Sequence, residues 1–190
     1  MMRITLSAII LLFAVSALNG QLSEGGVPPS FENAGLKASG EINTYKLSKL
    51  RIEKLLREDE EYKGPLRYSK YKEVHLDIKQ KGTKTEISDG TIWQYKIKSQ
   101  NAKSIALIFS HYEVPEGARL FIYSADKKTI FGAFTNRNNK KSKVFAIADM
   151  PSKELIIEYY EPFGVLSEGV LILGKIGQAY RDPETFIEEA

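Results

Sequence analysis

The chain contains no cysteine. That excludes disulfides, thiolate metal sites, a cysteine nucleophile and a lipidated N-terminal cysteine. Histidine occurs only at His75 and His111, without a His-x-His or His-Glu-x-x-His spacing. Metal sites draw on three or more converging ligands, so both read as surface or turn imidazoles. No Ser sits in a Gly-x-Ser-x-Gly elbow or a Gly-Asp-Ser-Gly setting. Surplus charge is scarce as well: 27 Lys and Arg stand against 24 Asp and Glu, a net of +3. Nucleic-acid binding requires a clustered basic face. The nearest cluster, Lys140, Lys141 and Lys143, reads as a solvated turn, so no nucleic-acid partner is expected. No catalytic residue, cofactor site or metal site is assigned, and partner-binding residues are not fixed by the sequence.

Long apolar runs are also missing after the first twenty residues. Residues 1–20 have the parts of a signal peptide: Arg3 at the start, an apolar core from Ile9 to Val15, then small residues at Ala14, Ser16, Ala17 and Gly20. Cleavage after Gly20 is expected, with Ala17 as the alternative, leaving Gln21 as the mature start. The core is well short of the roughly 20 residues that span a bilayer. The expectation is a secreted or periplasmic protein, with no membrane contact after signal removal.

With hydrophobic residues at 43% and charged residues at 27%, the composition is that of a globular domain. Residues 21–71 form an extended lead-in and an amphipathic helix. The lead-in, 21–40, is rich in Gly, Pro and Ser, with Phe31 as a potential anchor. From Ser48 to Glu61, Leu50, Ile52, Leu55 and Leu56 recur on one helical face, with Arg51, Glu53, Lys54, Arg57 and Glu58 on the other. Ser48 is a candidate N-cap, and Gly64-Pro65 a stop. This helix either packs on its own domain or serves a partner.

Residues 72–180 read as β. The stretch Lys103–Thr135 holds three apolar runs: Ile105–Phe109, Leu120–Tyr123 and Ile130–Phe134. They are separated by Pro115-Glu116-Gly117 and by Ala125-Asp126-Lys127-Lys128. The first two runs are apolar on both faces, which places them inside a sheet. Val74, Leu76 and Ile78 alternate with His75, Asp77 and Lys79, and a turn follows at Gln80–Thr83. Asp89-Gly90 signals a hairpin. Trp93, Tyr95 and Ile97 alternate with Gln94, Lys96 and Lys98, and three more strands cover Val144–Ala148, Leu155–Tyr160 and Val170–Ile176. The fold class expected is mainly β: an antiparallel two-sheet sandwich, jelly-roll or immunoglobulin-like, of about 8–9 strands preceded by one short helix. Strand order does not follow from the sequence. Residues 181–190 form a polar tail.

Three features bear on chemistry. Glu158 and Glu161 flank Tyr159-Tyr160 near a strand end, where a carboxylate pair could act on a sugar; strand-edge solvation explains them equally. Trp93 with Tyr95 could form a sugar-stacking platform, but their alternation with polar residues favours core. Asp89 and Asp126 are turn residues by position.

Several segments together resemble a known family. These are Gly25-Gly26-Val27-Pro28-Pro29-Ser30-Phe31, Glu53-Lys54-Leu55-Leu56 with Glu58-Asp59, and Ile92-Trp93 with Ile97. They continue with Val114-Pro115-Glu116-Gly117-Ala118, Leu120-Phe121-Ile122-Tyr123-Ser124, Gly132-Ala133-Phe134-Thr135 with Asn138-Asn139, and Ile157-Glu158-Tyr159-Tyr160-Glu161-Pro162. In this order the chain resembles the N-terminal pro-region of secreted bacterial lysyl-endopeptidase-like serine proteases, from Gly25 to about Asp182. The resemblance implies a β-rich leader domain whose partner is a trypsin-like serine protease domain, which it helps to fold or inhibits. The family's catalytic His, Asp and Ser lie in the domain expected after about Asp182, so no catalytic residue transfers to this sequence. A stand-alone leader domain or a truncated protease precursor would both fit. From other classes, a secreted module binding glycans or proteins, and a small hydrolase using Glu158 or Glu161, are the rival expectations.

Overall fold

The computed structural model describes residues 22–32 and 41–182. The leader and its cleavage position, the stretch 33–40 and most of the polar tail lie outside the described residues. Among the described residues ten strands form two sheets. The six-stranded sheet contains β1 (Thr44–Lys46), β3 (Thr83–Glu86), β4 (Gly90–Lys98), β9 (Glu154–Pro162), β6 (Arg119–Ser124) and β7 (Ile130–Phe134). Its order is β1-β4-β9-β6-β7, and β3 shares with β1 the outer edge of β4. The four-stranded sheet runs β2 (Ser69–Asp77), β10 (Val170–Ala179), β5 (Ile105–Glu113) and β8 (Phe145–Met150). Pairing is antiparallel except between β1 and β4. The fold is therefore a mainly antiparallel β-sandwich.

Alternation places Trp93, Tyr95, Leu120, Ile122, Ile157 and Tyr159 from one sheet against Ile105, Leu107, Phe109, Leu171 and Leu173 from the other, forming the main core. The three runs between Lys103 and Thr135 are divided between the two sheets. The first is β5, between β10 and β8, whereas the second and third are β6 and β7 of the opposite sheet. The chain crosses over at Pro115–Ala118, where Ala118 N–H donates to the Pro115 carbonyl at 3.2 Å and Gly117 takes a φ of +84°. Only glycine adopts that backbone without strain.

A second apolar layer explains why β6 is buried on both faces. Phe121, Tyr123, Ala133 and Ile156 lie on the outside of the six-stranded sheet, covered by Phe31 and Ile42. Phe31, on the short helix α1 (Pro29–Glu32), meets the Tyr123 ring edge-on at 4.9 Å, and the Lys127 ammonium sits 4.2 Å above the Phe31 ring. The lead-in also pairs with the free edge of β7: Glu24 N–H donates to the Ala133 carbonyl and Ala133 N–H to that of Gly25, both at 2.9 Å. The strap thus covers an edge that would otherwise offer unpaired backbone to other chains.

Several local expectations need correction. The helix α2 spans Ile52–Glu61, not Ser48–Glu61; Arg51 occupies the N-cap, and no side chain caps it. Ser48 fails as a cap because Leu50 is anchored instead: the Asn101 side chain accepts from Leu50 N–H and donates to its carbonyl, each at 2.9 Å. The turn expected at Gln80–Thr83 is a one-turn helix, α3 (Ile78–Lys81), because the Asp77 carboxylate accepts from the N–H groups of Lys79 and Gln80. Ile78 is thereby buried from a helix and not from the strand. The hairpin at Asp89-Gly90 is present: β3 and β4 pair as far as Glu86 and Thr91, and the turn closes through Ile87 N–H to the Gly90 carbonyl at 2.9 Å. Strand β2 begins at Ser69, three residues before Lys72.

Candidate functional site

Strand β9 carries both carboxylates singled out from the sequence, and neither is solvated. Glu158 has no exposed surface and Glu161 is 7% exposed. Three residues apart on a strand, they point to opposite faces. Glu158 lies on the outer face beneath the lead-in, directly across from Gln94. It accepts from the Ser30 N–H (2.9 Å), the Ser30 hydroxyl (2.5 Å), the Gln94 amide (3.0 Å) and the Tyr123 hydroxyl (2.8 Å). Every one of these donors helps to fasten the strap or the sheet beneath it. Burial, with the Glu158 charge beside it, pushes the Tyr123 hydroxyl well above the ordinary tyrosine range.

Glu161 belongs to a different cluster on the Tyr159 face. It accepts from the Tyr159 hydroxyl (2.6 Å), the Gly169 N–H (2.7 Å) and the Lys79 ammonium (3.0 Å). Lys79 in turn lies 4.9 Å from the centre of the Trp93 ring, and Trp93 stacks on Tyr159 at 5.7 Å. The four side chains close a circuit: Trp93, Tyr159, Glu161, Lys79. The two carboxylates share no cleft and their acceptor positions are occupied, so the geometry offers no acid and base pair. Strand-edge solvation fails as an account of them too.

The other candidates resolve into structure. Trp93 and Tyr95 are both buried in the main core, so they form no exposed stacking platform. His75 is exposed on β2, and the His111 Nε2 lies 3.2 Å from a Glu113 carboxylate oxygen. Among the described residues no three His, Asp or Glu side chains gather into a metal-binding group. Asp89 accepts from the Tyr160 hydroxyl at 3.0 Å, and Asp126 from Ser124 within its turn. Lys140 and Lys141 are exposed, and Lys143 pairs with Glu113 at 2.9 Å.

The helix expected either to pack on its own domain or to serve a partner is α2, and the fold joins it to β2 in one surface that the sequence does not show. This helix buries none of its residues; Ile52, Leu55 and Leu56 stay half-buried. It is fastened at its two ends by polar contacts. At the start stands the Asn101–Leu50 clasp. At the end Asp59 receives Arg67 (2.7 Å), the Tyr180 hydroxyl (2.8 Å) and Arg181 (3.1 Å). Burial raises the Asp59 carboxyl, but hydrogen bonds from Tyr180, Arg181 and Arg67 outweigh it and hold the group below the usual carboxylate range. Two adjoining hollows of about 610 and 420 Å³ lie against the helix and share Lys49, Leu50, Arg51 and Lys54. The larger also takes in Ile52, Glu53 and Arg57; the smaller reaches Leu55, Glu58 and the strand β2 at Lys70, Tyr71 and Lys72. Six cations here face two carboxylates, a surplus of four in a chain whose whole formal surplus is three. The three-residue spacing of Arg51, Lys54 and Arg57 signals a basic helix face, but Lys70 and Lys72 join it only through the fold.

Two hydrogen-bonded tyrosines, half-buried Tyr68 and buried Tyr180, make stability depend on alkaline pH. The Tyr68 hydroxyl donates to Asp149 at 2.8 Å, and that bond together with burial and the Asp149 charge pushes it up to about 12. Burial and the Asp59 bond push Tyr180 to about 12 likewise. A hydroxyl whose folded pKa exceeds its unfolded value of 10.0 contributes stability that is complete below pH 10 and fades as pH climbs toward 12. Urea midpoints are therefore expected to drop through that window, with tyrosinate absorbance rising together with unfolding. Ionisation at the ordinary tyrosine midpoint, with the fold intact, would contradict this.

No family model matches the chain.

Proposed function

We propose that this chain is a non-catalytic, exported β-sandwich of the serine-endopeptidase pro-region type, which assists the folding of a trypsin-like serine protease domain or blocks its active site. The observation that carries the reading is α2: a helix held at both ends by polar clasps, with its apolar residues half-buried and no residue fully buried. A helix that serves only its own core buries its stripe. The resemblance of the segments from Gly25 to Asp182 supplies the class of partner, and a truncated protease precursor falls under the same reading. The occupied carboxylates Glu158 and Glu161 support a binding role over hydrolysis.

A pro-region acts by binding the native form of its protease more tightly than the unfolded form, which stabilises the native form by mass action. Added in trans to a lysyl-specific trypsin-fold domain, the protein is expected to slow peptide hydrolysis or raise the refolding yield at concentrations on the order of ten micromolar, where a micromolar complex forms. No change in either, with no heat of binding by calorimetry, would sink the reading and leave a secreted glycan- or protein-binding module. The glycan form of that rival has lost its expected platform, since Trp93 and Tyr95 are buried.

A further inference from the structure

The α2 surface also has a chemistry of its own. Its floor is apolar, with Leu50, Ile52 and Leu55 from the helix segment and Tyr71, 45% exposed, from β2. Its rim is basic. Lys49, Arg51, Arg57 and Lys70 make no ion pair with any described residue, and Lys54 has only the exposed Glu58 at 3.6 Å. Among the described residues β2 pairs with β10 alone, so its outer edge is unpaired. Lys70 to Lys72 border the groove together with Gln178 of β10, the register partner of Lys70, so the groove lies over the end of the β2–β10 pair, beside that edge.

From this combination we infer that the groove between α2 and β2 binds an acidic, extended peptide segment carrying an apolar anchor, contributed by a partner protein. This rests on the binding role proposed above and names the chemistry of the segment that the partner presents. Lysines on an edge strand repel most incoming strands; a segment rich in Asp and Glu meets attraction there instead. The apolar floor takes one or two side chains, and the cations fix the sign of the segment and speed its encounter. Nucleic acid fits less well. A phosphate backbone is tracked by a charged groove whose aromatics offer flat faces for stacked bases, and Tyr71 is the one aromatic lining this groove.

The test uses the full chain and a fluorescent peptide of about ten residues, the length of a long strand, alternating Glu and Ser around a central Leu. Binding is expected to weaken as salt rises, because exposed charges are screened. Reversing Lys54→Glu with Lys72→Glu is expected to weaken it by about tenfold or more, as loss of electrostatic complementarity does. Both residues are exposed, and an unchanged melting temperature verifies that the variant folds. A second variant, Leu55→Ser, is expected to weaken binding without altering its salt dependence. Absent peptide binding, or binding indifferent to both variants, overturns the assignment. So does tighter, variant-sensitive binding of duplex DNA or of anionic vesicles. The readout needs no protease, so the two readings fail separately. Peptide binding without any effect on a protease domain sinks the pro-region reading alone. Protease inhibition that survives the charge reversal sinks the groove alone.

Discussion

Replacing Trp93 with alanine is expected to lower the free energy of unfolding by about 3–5 kcal/mol, the range for deleting a large buried aromatic. Trp93 is 7% exposed, stacks on Tyr159 and lies beneath the Lys79 ammonium. Alanine leaves a hole between the sheets and removes the ring over which Lys79 is held. Because domains of this size are stable by only about 5–15 kcal/mol, the variant should melt far below the parent or be recovered unfolded. A melting temperature that stays put, with a ligand-binding activity lost instead, would mean that the ring serves recognition. Trp93→Phe, which keeps an aromatic face for Tyr159, is expected to recover part of the loss.

Removing Glu161 from the same circuit is expected to cost about 3 kcal/mol, the lower end for breaking a buried ion pair from one side. In Glu161→Ala, Lys79 keeps only Glu168, whose side chain is 84% exposed. The Tyr159 hydroxyl and the Gly169 N–H lose their acceptor, and buried donors left unpaired are costly. Lys79→Met should be milder, since it deletes the cation and keeps an apolar chain against Trp93. The double substitution should cost less than the two singles added, because contacting residues in one network are not independent. Chemical denaturation of the four proteins measures this, and strict additivity would show that the circuit does not act as a unit.

Strand pattern was legible where burial is one-sided or where turns carry their own chemistry. Val74 to Asp77, Trp93 to Ile97 and the Pro115-Glu116-Gly117 turn were all readable, since alternation and a left-handed glycine are local facts. Which strands adjoin was not. Nothing near Phe109 or Leu120 says that the turn between them changes sheets. The roles of Glu158 and Glu161 were hidden for the same reason. Their neighbours Ser30, Gln94, Tyr123 and Lys79 are far away in sequence, so a buried acceptor of four bonds reads like a solvated strand end. The start of α2 was misplaced because Asn101, some fifty residues on, secures Leu50 more firmly than Ser48 could cap a longer helix. The groove stayed dispersed in the sequence, its cations split between a helix and a strand.

The placement of β9 and β10 sets when this chain can fold during synthesis. Each sheet is built around one of these two strands: β9 separates β4 from β6, and β10 separates β2 from β5. They are also the last two strands of the described residues to leave the ribosome. Until they emerge, no strand joins β4 to β6 or β2 to β5 by backbone pairing, so neither sheet can assemble beyond fragments such as the β3–β4 and β6–β7 hairpins. Pairings this distant in sequence form slowly, since the long loops between them must close first. The nascent chain therefore makes β1 to β8 without the central strand of either sheet, its apolar strands available to chaperones, and both sheets close only once β9 and β10 have emerged.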